Sequence, residues 1–129
     1  MSAPVVLLFG LEGDKGKAWR TAATHLRIRM RQVSPAEADL PLLELLREDG
    51  GKAPSPLVLP LSEPMLVMAG FSRELMDAYL AAARTMGAQR LDLKAVLTPT
   101  NASWTARQLQ RELAAERDAV AAKRQAHTP

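Results

Sequence analysis

The chain has 129 residues, 47% hydrophobic and 24% charged, which excludes a disordered polyelectrolyte and is long enough for one domain with its own core. Aromatics make up only 4% and cysteine is absent, so the core must be aliphatic, and disulfides, thiolate catalysis and thiolate metal sites are excluded together. The net charge of +3 sits in the second half: residues 1–63 carry eight basic and eight acidic residues, residues 64–129 nine and six. That excess is too dispersed to define a nucleic-acid binder.

The first apolar run, Val5 to Phe9, is too short for a signal peptide core, and nothing approaches the ~18 apolar residues of a membrane span, so a cytoplasmic protein with no membrane partner is expected. Apolar at every position and stopped by Gly10, the run reads as a strand buried on both faces. Ala18, Trp19, Ala22, Ala23 and Leu26 then fall at helical spacing. Arg27 to Arg31 alternates with period two and reads as an edge strand with its arginines on one wet face. Ser34-Pro35 resembles a helix start, and Leu42, Leu43, Leu45 and Leu46 give that helix an apolar stripe. Gly50 to Pro56 is a linker, extended by further prolines to Pro64; Leu57–Leu59 is a weak strand candidate inside it.

The second half repeats this order. Met65–Ala69 is an apolar strand closed by Gly70, Ser72 is an N-cap, and Leu75, Met76, Tyr79, Ala82, Ala83 and Met86 line a helix ended by Gly87. A strand leads through Leu93 to Leu97, and a last helix starts near Ala102 or Ser103, with Trp104 in its first turn. PVVLLFGL (4–11) aligns with PMLVMAGF (64–71) at an offset of 60, and Val33-Ser34-Pro35 with Leu97-Thr98-Pro99 at an offset of 64. The expected fold is therefore a single α/β domain with one four-stranded, mainly parallel sheet covered by helices. It is built as two β-α-β-α pseudo-repeats at about 4–49 and 64–118, with linker 50–63 and a frayed tail from 119 to 129. The runs Val5–Phe9 and Met65–Ala69 should be its central strands.

PMLVMAGFS (64–72), LKAVLTPTN (93–101) and Trp104, in this order and spacing, resemble a family of small, mostly bacterial proteins grouped as a domain of unknown function. The resemblance spans residues 63–113 and implies no activity, cofactor or catalytic residue.

GLEGDKGKA (10–18) has one residue too many for a Walker loop, and Ala18 replaces the Mg²⁺-binding hydroxyl, so it reads as a strand–helix loop with an anion site as the alternative. Thr98, Thr100 and Asn101 could form a polar pocket beyond a strand end, although capping by Asn101 or Ser103 explains the same residues without a ligand. His25 and His127 lack companions at metal-ligand spacing. The reading is a non-catalytic binding or regulatory module for a protein or a small anionic ligand, with no cofactor. Its expected contact residues are Gly10, Lys17, Gly70, Thr98, Thr100, Asn101 and Trp104, with Gly10 and Gly70 neighbours beside one cleft. The alternatives are a nucleotide- or phosphate-handling enzyme using Lys17, Thr98 and Asn101, and RNA binding through Arg27, Arg29 and Arg31.

Overall fold

The two apolar runs at the start of each half, Val5–Phe9 (β1) and Met65–Ala69 (β3), form the centre of a four-stranded sheet, as their unbroken apolarity predicts. Arg29–Val33 (β2) and Leu93–Val96 (β4) are the edges, giving the order β2-β1-β3-β4. The computed structural model describes residues 3–47, 61 and 63–126. The expected linker therefore lies outside the described residues except for positions 61 and 63, and Leu57–Leu59 lies wholly outside them.

β1 pairs parallel with β2 and β3 parallel with β4, but β1 and β3 run antiparallel. The sheet is thus α/β and mixed: two strand–helix–strand units joined by one antiparallel seam. Along that seam Val5 faces Ala69, Leu7 faces Val67 and Phe9 faces Met65.

Because side chains alternate across a strand, each central strand feeds two cores. Val6, Leu8, Leu66 and Met68 meet the helices Lys17–His25 (α1) and Arg73–Thr85 (α3) on one face. Leu7, Phe9, Met65 and Val67 meet the single turn Leu42–Leu45 (α2) and the helix Ala106–Ala126 (α4) on the other. The first core is centred on two aromatics sixty residues apart. Tyr79 and Trp19 pack edge to face at 5.7 Å, and the buried Tyr79 hydroxyl donates to the Trp19 carbonyl oxygen at 3.0 Å. Burial pushes the Tyr79 phenol well above its ordinary value, so it remains a donor at any physiological pH.

Three local expectations are corrected. The helix expected after Ser34 is instead two short pieces, a 3₁₀ turn at Pro35–Glu37 and α2, because Pro41 interrupts the run. Ser34 and Glu37 form a capping box on the first piece. The arginine stripe does not share one wet face. Arg27 lies before β2 in a left-handed conformation (φ 58°), and Arg31 turns inward to Glu37 and to the Leu45 carbonyl, one of the carbonyls that the end of α2 leaves without a helical partner. Met30 is exposed in its place. Finally, α4 begins at Ala106, with Thr105 Oγ1 accepting from Gln108 N at 3.0 Å, so neither Asn101 nor Ser103 caps it.

Candidate functional site

The antiparallel seam decides where the expected contact residues lie. Gly10 follows Phe9, which pairs with Met65, and a Cβ on Gly10 would stand 3.4 Å from Pro64 Cα. Gly70 follows Ala69, which pairs with Val5 at the other end of the sheet. Gly10 and Gly70 are therefore not neighbours, and the cleft expected between them does not exist. Gly10 and Lys17 belong to one end, and Gly70, Thr98, Thr100 and Asn101 to the opposite one. Trp104 turns back under α2, where its carbonyl accepts from Leu42 N at 2.8 Å and its side chain packs on the second core. The grouping of Lys17 with Thr98 and Asn101, which the catalytic alternative requires, is lost for the same reason.

The turn after β4 is occupied with its own backbone. Asn101 Oδ1 accepts from Thr98 N at 2.8 Å, Asn101 Nδ2 donates to the Val96 carbonyl at 3.1 Å, and Thr98 Oγ1 accepts from Asn101 N at 3.1 Å. Asn101 is 8% exposed, so both ends of its amide are consumed in a buried staple. At the other end, Arg20 closes the Gly10–Lys17 loop by donating to the carbonyls of Leu11 (2.5 Å) and Gly13 (2.7 Å). An anion cradle presents N–H groups, whereas this loop turns carbonyl oxygens toward a guanidinium.

One concave surface lies where α1 begins and α3 ends; a larger one, about 430 Å³, shares Arg90 and Lys94 with it and is lined by Asp92, Glu116 and Arg117 as well, so its charges are mixed. The first, a cavity of about 280 Å³, has an apolar floor of Trp19, Leu80 and Leu91 and a rim of Arg84, Arg90 and Lys94. An adjoining cavity of about 120 Å³ shares Trp19, Arg90 and Leu91 and adds Lys15 and Pro64. No carboxylate lines either one. Arg90 Nε reaches Asp92 at 3.0 Å, but Lys15, Arg84 and Lys94 have no ion pair with a described residue. Arg84 stands in the last turn of α3, where the helix dipole favours a cation. Lys17, two residues from Lys15, does not line the groove. Sequence reasoning missed Arg84 and Arg90 because they belong to no motif, and Lys94 because the polar end of LKAVLTPTN, and not its lysine, carried the expected chemistry. Their trace is the basic excess of the second half, brought to one place by the short connection from α3 to β4.

That connection falls inside a recognisable segment. Residues 64–120 match a domain of unknown function, DUF3783. The DUF3783 match covers under half of the chain and begins and ends with the second unit, β3-α3-β4 and most of α4. It includes Arg84, Arg90 and Lys94 and leaves Lys15 and Trp19 to the first unit. No curated protein and no solved structure matches the chain. Among the described residues, no helix is long and apolar enough to cross a membrane, and no group of three His, Asp or Glu side chains could hold a metal.

Proposed function

We propose that the protein is a non-catalytic binding module whose contact surface is the basic groove between the start of α1, the end of α3 and the start of β4, and whose partner is anionic. The carrying observation is the rim of Lys15, Arg84, Arg90 and Lys94 over an apolar floor, with no lining carboxylate. Arg90 has Asp92 as a partner, but Lys15, Arg84 and Lys94 have no ion pair with a described residue and repel one another, so an anion that neutralises them recovers Coulomb energy, most of all beside a low-dielectric floor. The test is a thermal-shift titration of the full chain with inorganic phosphate, pyrophosphate and an acidic peptide. An anion-dependent rise in melting temperature, suppressed by salt and abolished in Arg84→Gln/Lys94→Gln, is expected. A rise that survives both substitutions would place the anion elsewhere and overturn the groove.

The same proposal takes the chain as one domain made of two β-α-β-α copies, working in a bacterial cytoplasm. The seam supports the duplication, because its pairs (Val5 with Ala69, Leu7 with Val67, Phe9 with Met65) map onto themselves when each residue is exchanged with the one sixty away. So does the edge pairing, since Val5 faces Arg29 as Met65 faces Leu93, with the same shift from 60 to 64. Absence of cysteine is the support for the cytoplasm.

A further inference from the structure

The groove combines cations with an apolar floor, and this pairing narrows the ligand. We infer that the groove takes a small amphiphilic phosphate, with a phosphoryl head on Arg84 and Lys94 and an apolar body against Leu80, Leu91 and the edge of Trp19. The inference rests on the groove reading above and names its ligand.

Three observations carry it. The rim and floor are segregated: Arg84, Arg90 and Lys94 are exposed, Leu91 and Trp19 are buried and Leu80 half-buried. A bare anion would leave the apolar floor wet, and a neutral hydrocarbon would leave the rim charges uncompensated. Second, the guanidinium of Arg84 is free of any ion pair with a described residue, and its planar fork suits two phosphate oxygens where a lysine would supply a point charge. Third, Trp19 lines both cavities although it is only 5% exposed. Its indole N–H makes no hydrogen bond to a described residue, and the one sealed, unpartnered side-chain polar atom among those residues is Gln32 Oε1. The indole N–H is therefore not sealed from solvent, and in a residue that lines the groove it is a donor available to a ligand oxygen. Trp19 already packs edge to face with Tyr79 at 5.7 Å and is only 5% exposed, so it offers the body a narrow margin of contact and no open ring face for stacking. A groove of about 280 Å³ is at the small end of ligand sites, which favours a compact molecule over a long chain.

Phenyl phosphate, inorganic phosphate and a glutamate octapeptide are the probes, titrated into the full ¹⁵N-labelled chain. The two indole N–H signals, assigned with Trp104→Phe, report on the site. Phenyl phosphate should move the Trp19 indole signal and bind roughly tenfold or more tightly than inorganic phosphate, the gain expected from burying its ring. Arg84→Gln/Lys94→Gln should abolish this, and Arg84→Lys should retain part of it, with melting temperatures near wild type in each. Equal affinity for the two phosphates, still dependent on Arg84, would overturn the amphiphilic ligand and leave an anion groove. Binding of the octapeptide without phenyl phosphate would do the same and redirect the groove to acidic proteins. No binding by any probe would overturn the groove reading itself.

Discussion

Asn101 shows how a residue can look like a ligand contact and be a fastening. With Oδ1 on Thr98 N and Nδ2 on the Val96 carbonyl, its truncation removes the partners of two partly buried backbone groups. Asn101→Ala should cost roughly 1–3 kcal/mol in denaturant unfolding and leave anion binding unchanged. Loss of binding without loss of stability would restore the turn as a site. Tyr79→Phe should cost about 1 kcal/mol, because the Trp19 carbonyl loses a donor while the ring packing stays. Gly16 sets a harder limit. A Cβ there would stand 1.8 Å from the Leu11 carbonyl oxygen, so Gly16→Ala must break the loop that Arg20 closes, and a large fall in melting temperature is expected. Of these roles, the sequence carried the chemistry of Thr98 and Asn101 but not its direction. Amide and hydroxyl groups beyond a strand end serve a ligand or their own backbone equally well, and only the three bonds that Asn101 makes to Val96 and Thr98 decide between them.

At the scale of elements, α4 is held along the sheet by contacts that also predict a pH response. Gln110 Nε2 donates to the Glu63 carbonyl at 2.8 Å, and Arg117 grips the Glu63 carboxylate through Nη1 (2.5 Å) and Nη2 (2.9 Å). The Arg117 hydrogen bonds hold the Glu63 carboxyl below its usual value of 4.5, against a smaller opposing effect of burial. A carboxyl with a lowered folded value stabilises the fold at pH above 4.5, and that contribution is lost as pH falls through the lowered value. Wild type should therefore lose more melting temperature between neutral and acid pH than Glu63→Gln. Equal acid limbs would show that the pair contributes nothing measurable, the common result for exposed ion pairs. Element identity was legible wherever burial is symmetric: runs apolar at every position became the two central strands. It failed at β2, because alternation of Arg with Ile and Met predicts wet arginines only if nothing polar waits on the inner face. The carbonyl of Leu45 and the carboxylate of Glu37 do wait there, and they draw Arg31 in.

For the whole molecule, the direction of one strand pair rearranged the site. A parallel join between β1 and β3 would have set Gly10 beside Gly70, and the antiparallel join sends them to opposite ends. Nothing in either apolar run specifies that direction, since both faces are buried and hydrophobicity alone reads the same both ways. The groove was illegible for a related reason: it is made by the end of α3 meeting the start of α1, elements from different halves. Its electrostatic character gives a prediction at this scale. Phosphate affinity should fall steadily with rising salt, and Arg84→Gln/Lys94→Gln should flatten that dependence. A slope unchanged by the double substitution would mean that the charge acts from elsewhere on the surface.

The seam between β1 and β3 also has a kinetic consequence. Within each unit the paired strands lie 24 or 28 residues apart, as Val5 with Arg29 and Met65 with Leu93, whereas the seam joins Val5 to Ala69 across 64. Short loops close at lower entropic cost, so each strand–helix–strand unit should gain structure before the halves zip together, and zipping should limit the folding rate. Residues inserted between Arg47 and Leu61 lengthen the loops closed between the halves, the seam's among them, and none of the pairings within a unit. Doubling the seam's loop should therefore slow refolding by an amount equivalent to roughly 0.6 kcal/mol. The unfolding rate should hardly change, because the loop is still closed in the transition state and regains its freedom only after it.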